Sequence, residues 1–446
     1  AEYKPPTTEA EFVKNFSPKK PLMTDTEAYY ESSRCLYCYD APCITACPTG
    51  IDIPSFIRRI TSGNLQGAAT DILSANILGG SCARVCPTEV LCEAACVRND
   101  TEDKPVEIGA LQRHATDWVY RDGAQLFQRE PDSGRTVAVI GAGPAGLSCA
   151  HALARRGHRV RIYEARPRPG GLNEYGIAAY KVPGFAQREI EWLLSIGGIE
   201  VEHGRTLGRN LALGALRREH DAVFLGLGLA GVNALGLDGE QLAGVRNAVD
   251  FIAELRQCAD LATLPVGRRV VVIGGGNTAI DAAVQSRRLG AERVTLVYRR
   301  GPGDMGATAH EQAFAQAEGV AVVHWARPLR FVARDGQLAA VEFEYTALDA
   351  GGKLVGSGDH FSLEADSVLT AIGQVLVADP LRDGAHESLA LRNGRIVVDE
   401  RHATSVAGVW AGGDCVGGKL DLTVQAVEDG KRAAHAIDHA LSARRA

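Results

Sequence analysis

Three stretches near the N-terminus, Ser55 to Ile60, Leu65 to Ile77 and Ile108 to Val119, repeat their apolar residues three and four apart, the rhythm of short amphipathic helices. Beyond a charged segment, Arg121 to Arg135, the pattern changes. Thr136-Val-Ala-Val-Ile140 is the continuous apolar run of a buried parallel strand. It flows into Gly141-Ala-Gly-Pro-Ala-Gly146, a helix ending near Gly157 and a second strand, His158 to Tyr163. The same β-α-β grammar returns at Arg269-Val-Val-Val-Ile273, Gly274-Gly-Gly-Asn-Thr-Ala279, a helix to Gly290 and a strand from Arg293 to Tyr298. Gly408-Val-Trp-Ala-Gly-Gly-Asp414 and a helical pattern from Leu422 to Ala440 then return the chain to the first unit. The predicted architecture is multidomain: an α-helical domain over residues 1–130, followed by two Rossmann-like α/β dinucleotide-binding domains. One covers 131–255 and 374–446, and the other, 256–373, is inserted in it.

A length of 446 residues suits such a division into about three domains. Charge and composition narrow the function. The net charge is −6, with 23% charged and 46% hydrophobic residues, ordinary for a globular chain and without the basic field that nucleic acid would need. No apolar run reaches the roughly 20 residues of a membrane helix, and the polar start, Ala1 to Lys14, has no hydrophobic signal core. The expectation is a cytoplasmic protein with neither a membrane nor a nucleic-acid partner, whose eleven cysteines are kept as thiols rather than disulfides.

A Gly-x-Gly-x-x-Gly turn between strand and helix lets backbone approach a pyrophosphate and sets that charge on a helix N-terminus. Gly141, Gly143 and Gly146 fit it, and Glu164 stands 23 positions after Gly141, at the strand end where an acid grips ribose hydroxyls. The alternative is a glycine-rich turn that binds nothing. In the second unit Gly274, Gly276 and Ala279 give the weaker version, and the strand ends at Tyr298-Arg299-Arg300. Arginine forks there would pair with a 2′-phosphate, which leans toward NADPH; two solvated arginines, with either nicotinamide accepted, is the plainer reading. An acid in one unit and a phosphate clamp in the other suggest FAD in the first and NAD(P)H in the second. Asp414, before a helix, is placed to bond a flavin's ribityl chain, and Thr423-Val424 would open the helix whose positive end faces the ring.

The cysteines are concentrated. Cys35-x2-Cys38-x4-Cys43-x3-Cys47-Pro48 approaches a ferredoxin run with a longer middle spacer, and Cys82, Cys86-Pro87, Cys92 and Cys96 form a second group. Two 4Fe-4S clusters are expected; zinc would prefer short paired knuckles. Eight cysteines would suffice for two clusters. Cys149, Cys258 and Cys415 stand singly, and none makes a Cys-x-x-Cys dithiol beside the flavin.

Taken together these residues resemble the glutamate synthase small-subunit family of flavoproteins over nearly the whole chain. Within it, Cys35-Leu-Tyr-Cys-Tyr-Asp-Ala-Pro-Cys43, Cys86-Pro-Thr-Glu-Val-Leu-Cys92 and Ile108-Gly-Ala-Leu-Gln112 are similar to the dihydropyrimidine dehydrogenases. The resemblance implies one cluster on Cys35, Cys38, Cys43 and Cys96, and the other on Cys47, Cys86, Cys92 and the amide oxygen of Gln112, leaving Cys82 unused. It implies FAD contacts at Val85, Glu164, Leu172, Lys181, Asp414 and Thr423, with Gly171, Gly413 and Val424 beside them. Nicotinamide nucleotide contacts are implied at Gly274, Gly276, Asn277, Thr278, Arg299, Arg300, Ala371 and Gly373. A further arginine of the NADPH-using relative is matched here by Gly306, and the bacterial two-subunit enzymes are generally linked to NADH.

By the same resemblance the chain is an electron-input subunit, without a catalytic side chain of its own, the flavin being the redox centre. Electrons would pass from NAD(P)H through FAD and two clusters to a partner that carries FMN and iron-sulfur clusters and reduces uracil or thymine, in a heterotetramer. No pyrimidine pocket or FMN barrel is recognised within the 446 residues. Two other readings remain: a glutamate synthase small subunit or NADPH:ferredoxin oxidoreductase, and a redox scaffold without turnover.

Overall fold

The computed structural model describes residues 3–182, 184–381, 388–418 and 420–443. It is an N-terminal helical domain followed by two dinucleotide-binding α/β domains, as the alternation of runs and turns predicts. The chain divides into two compact units: one from the described parts of Ala1–Lys19, Tyr175–Pro183 and Val232–Gln374, the other from Lys20–Glu174, Gly184–Gly231 and Val375–Ala446. Helices expected to carry thiols and the first glycine turn therefore share a unit.

In that unit five parallel strands lie in the order Val409–Ala411, Ala222–Leu225, Thr136–Ile140, Arg159–Glu164, Ile199–His203. The chain leaves Thr136–Ile140 to opposite sides, so the glycine turn sits at the switch point where ligands bind in open α/β sheets. Helix Pro144–Arg155 follows, opened by proline, whose fixed φ suits the first helical turn. Against it lies Thr423–Ala443, close enough that a Cβ on Gly430 would stand 2.1 Å from the Ala145 carbonyl. Ser148 donates to Val427 O at 2.7 Å. Small residues are what let the last helix return to the first unit.

The helical portion of the same unit packs Ile53–Thr61, Leu65–Ala75 and Ile108–Asp122, each close to its predicted span, with Asp25–Ser33 against them. Ile53, Phe56, Ile57 and Ile60 bury one face of the first, and Leu111 and Ala115 one face of the third, in a common core.

The other unit has its own parallel sheet, in the order Val245–Asn247, Ser367–Thr370, Arg269–Ile273, Arg293–Tyr298, Val320–His324, and an antiparallel sheet of Ala326–Arg334, Gln337–Leu348 and Leu354–Glu364. Residues 232–255, expected with the first dinucleotide-binding domain, are here because Val245–Asn247 pairs in parallel with Ser367–Thr370. Among the described residues no helix is long and apolar enough to cross a membrane.

Candidate functional site

The thiols are delivered by short helices with firm ends. Thr24 and Glu27 form a capping box on Asp25–Ser33, which hands the chain to Cys35; Tyr37, at φ 51°, then folds Cys38 back. Pro42 starts a single turn that carries Cys43 and ends at Cys47. Gly79–Val85 carries Cys82 and ends at Cys86, where Pro87 stops it. Cys35, Cys38, Cys43 and Cys96 line one small apolar cavity of about 30 Å³. Burial, with Cys35 and Cys96 as neighbours, pushes the Cys43 thiol up to about 12. The second group gathers around Cys86: a hydrogen bond that its thiol donates to Cys82 and then burial raise its pKa, with Cys92 and Cys47 beside it. Burial is also the main cause holding Cys92 up, followed by Glu93 and Cys47.

These residues fit iron-sulfur ligation. Buried thiols that hold one another protonated need a cation before they can all be thiolates. Four thiols lining one apolar cavity, and a second set of thiols around Cys86, supply the donors that clusters carrying their own sulfides need. Gln112, 7% exposed, donates its Nε2–H to Gly79 O at 2.7 Å, which leaves Oε1 as the side chain's uncommitted acceptor. Cys82, buried, lies against Cys86, and Gln112 reaches the start of the helix that carries Cys82.

Sequence reasoning passed over Glu189. It sits in the apolar stripe Ala186, Ile190 and Leu193 of helix Ala186–Leu194, and a charge inside such a stripe was the available signal. Its carboxylate accepts from the Gly80 and Ser81 N–H groups at 2.9 and 3.0 Å, from the Ser81 hydroxyl, and from Tyr120 OH at 3.0 Å. It thereby caps the first turn of the Cys82–Cys86 helix from the dinucleotide-binding side of the same unit. Burial pushes its pKa up against those hydrogen bonds.

The first glycine turn is built for close approach. A Cβ on Gly141, at φ 99°, would stand 2.3 Å from Gly226 O, and one on Gly146 1.9 Å from Gly141 O. A Cβ on Gly143 would meet only Gly171 Cα, at 3.8 Å, so this side of the turn is open to a ligand. Glu164 accepts from Ala142 N at 2.7 Å and Arg166 N at 2.8 Å, closing the turn from below. Gly413 donates to Asp429 and rests on Ala145, which brings Asp414 to the same turn. Burial, helped by Asp421 and opposed by Arg395, pushes Asp414 up to about 6. Thr423 donates to Asn173 Oδ1 at 2.9 Å, one residue after Leu172, and Val424 is buried beneath. Gly171 and Val85 are in this unit as well. Lys181 is not: it belongs to the other unit, 2.8 Å from Asp281 and 3.2 Å from Glu311.

There, a Cβ on Gly274 would stand 2.3 Å from Ala371 O and one on Gly275 2.5 Å from the Tyr298 ring, whereas Gly276 has nothing within 4 Å. Gly276, Asn277 and Thr278 form an open helix start. Gly373 accepts from Asn233 N at 3.1 Å. Arg299 is exposed and Arg300 half-buried, and neither has an ion-pair partner among the described residues. A Cβ on Gly306 would stand 3.8 Å from Gly276 Cα.

Two family models match the chain. Residues 135–430 match the pyridine nucleotide-disulphide oxidoreductase family, and 12–124 match dihydropyrimidine dehydrogenase domain II, 4Fe-4S cluster. The chain is 36% identical over 422 residues to the NAD-dependent dihydropyrimidine dehydrogenase subunit PreT of Salmonella typhimurium, covering 94% of this chain and 96% of that one. It is 33% identical over 455 residues to the glutamate synthase [NADPH] small chain of Halomonas elongata, covering 98% and 95%. The fold is that of Mycobacterium tuberculosis FprA, solved in complex with NADPH, at a TM-score of 0.57 and 20% identity over 71% of this chain and 86% of that one.

Proposed function

The chain belongs to the pyridine nucleotide-disulphide oxidoreductase family, with a 4Fe-4S cluster domain ahead of its redox domains, and from that premise we propose that it is the electron-input subunit of a two-subunit dihydropyrimidine dehydrogenase. Its cofactors are FAD, a nicotinamide nucleotide and 4Fe-4S iron. The observation that carries the reading is that both thiol groups share one compact unit with the first glycine turn. When bound, FAD would supply a hydride acceptor for the nicotinamide, and two clusters would supply single-electron transfer onward.

The residues supply the rest. Gly143 and Gly276 offer bare backbone at two helix starts, where pyrophosphate charge meets the positive end of a helix dipole. Glu164, held by two N–H groups, presents a fixed acid to ribose. Asp414 would accept from ribityl hydroxyls, with Thr423 and Val424 at the start of the helix beside it. Cys35, Cys38, Cys43 and Cys96 would hold one cluster; Cys47, Cys86, Cys92 and Gln112 Oε1 would hold the other. The donor side is divided: Arg299 and Arg300 favour a 2′-phosphate, while Gly306 withholds a third cation. The partner in this reading is an FMN- and iron-sulfur-bearing subunit that reduces uracil or thymine, joined in a heterotetramer.

The experiment is anaerobic purification with bound partners, a count of iron and flavin, and separate assays of uracil-dependent NADH and NADPH oxidation. About eight irons and one FAD per chain are expected, with uracil turnover only beside an FMN-bearing partner. The glutamate synthase relative favours a second reading. Flavin reduction that uracil leaves unchanged, but that glutamate synthesis drains, would establish that one instead.

A further inference from the structure

The far side of the helix that begins at the first glycine turn borders a cavity of about 250 Å³. Its walls are residues 73–77 of the thiol-bearing portion, residues 128–130 of the connecting segment, the second half of Pro144–Arg155 and the middle of the last helix, all within one compact unit. Neither glycine turn nor any thiol lines it, so neither the flavin nor the cluster sites use it.

The lining is polar and carries three permanent cations. Lys431 donates to Ala75 O at 2.8 Å and pairs with Glu428; Arg156 pairs with Asp438 at 3.3 Å. Arg155 is different. Its guanidinium lies over the Phe127 ring at 4.3 Å and, among the described residues, has no carboxylate at ion-pair distance. Burial and then Arg156 weaken its hold on its proton, and Glu130 on the same wall restores part of it. Beside it is His151, 3% exposed, whose Nε2 is buried without a hydrogen-bond partner. An orphaned buried ring nitrogen next to an unanswered guanidinium is a costly pair to leave in a fold, unless something is bound between them. His435 faces the cavity too, its charging disfavoured by burial, Arg156 and Lys431.

We propose that this cavity binds a small free oxyanion, of the phosphate or sulfate class, through the Arg155 fork with His151 as a second donor. At roughly 30 Å³ per water, the volume accommodates such an anion with several waters. Guanidinium forks match its geometry bidentately. The occupant bridges the segment leading into the Cys82–Cys86 helix and the helix rising from the glycine turn, so its effect is to tighten one against the other.

Inorganic phosphate is the probe, tested on the holoprotein with its nicotinamide site saturated and ionic strength matched with chloride. Thermal unfolding should shift upward with phosphate in a saturable way, and phosphorus NMR should show exchange broadening. Arg155→Gln should raise the apparent dissociation constant at least tenfold, and His151→Phe, which keeps the ring packing, severalfold. Arg299→Ala should leave it unchanged, which separates this cavity from the nucleotide's own phosphate sites. Should Arg155→Gln protein fail to fold, His151→Phe carries the test. Phosphate without effect on the wild type at tens of millimolar, equal binding by both cavity variants, or loss of binding in Arg299→Ala alone would each overturn the proposal. None of these readings needs pyrimidine turnover, so they stand apart from the proposed function.

Discussion

Replacing Glu189 by alanine tests whether one buried carboxylate ties the thiol-bearing helices to the dinucleotide-binding sheet. Two of its four partners, the Gly80 and Ser81 N–H groups, belong to the first turn of Gly79–Val85 and have no intrahelical acceptor. A third, the Tyr120 hydroxyl, lies within an aromatic cluster with Phe185 and Trp192. Each buried donor left without a partner costs about 1–3 kcal/mol, and the vacated space admits a water that recovers part of that. The carboxylate's own desolvation is relieved at the same time, which takes the net loss to about 3 kcal/mol, the lower end for breaking a buried charged network. In a domain of this size that is a midpoint drop of roughly 6–12 °C, read as flavin release on heating under anaerobic conditions. Glu189→Gln keeps an acceptor for the helix turn and should lose no more than about a third of that.

The pH dependence adds a second readout. Burial raises the Glu189 pKa in the folded state, so the folded protein binds this proton more tightly than the unfolded chain does. Stability drawn from it is fully present below the unfolded value near 4.5 and is lost as pH rises through the folded value. The glutamine variant lacks that slope, so its deficit against wild type should shrink as pH rises. A midpoint unchanged within about 1 °C in the alanine variant, or a glutamine variant as damaged as alanine, would refute the reasoning.

Three further outcomes are expected. Gln112→Ala should alter the electron paramagnetic signature of one cluster only, and Cys82→Ala should retain the full iron count; iron loss in the cysteine variant would make Cys82 the fourth ligand in place of Gln112. FAD affinity should rise severalfold between pH 5 and 7, because Asp414, held up to about 6 mainly by burial, must ionise to accept two hydroxyls; an Asp414→Asn variant with the same pH profile would exclude it. Arg299→Ala with Arg300→Ala should lower kcat/KM for NADPH about tenfold, the worth of a charge-assisted phosphate contact, and leave NADH within twofold; equal losses for both donors would show that the pair does not read the 2′-phosphate.

What the sequence made legible and what it hid divide along one line: whether a residue's partner is near in the chain or set by tertiary packing. The glycine turns were readable because backbone geometry demands them locally; a Cβ on Gly146 would collide with Gly141 O only five residues away. The helices over 53–61, 65–75 and 108–122 were readable from apolar spacing. The division of the dinucleotide-binding domains was less so, because the short strand Val245–Asn247 owes its place to pairing with Ser367–Thr370, more than a hundred residues on. The same holds within the site. Glu189 meets Gly80 and Ser81 across more than a hundred residues, so a charge inside the apolar stripe of its helix signals a buried position without naming the partners that hold it. Lys181, implied as a flavin contact, is held by Asp281 and Glu311 in the other unit, a pairing no local pattern announces. Motifs therefore locate the chemistry, while the buried ion pairs and helix caps that fix its position come from folding. The variants that separate the two are those at Glu189, where the ligands stay and only their support is removed, and those at Gln112 and Cys82, where a candidate ligand itself is removed.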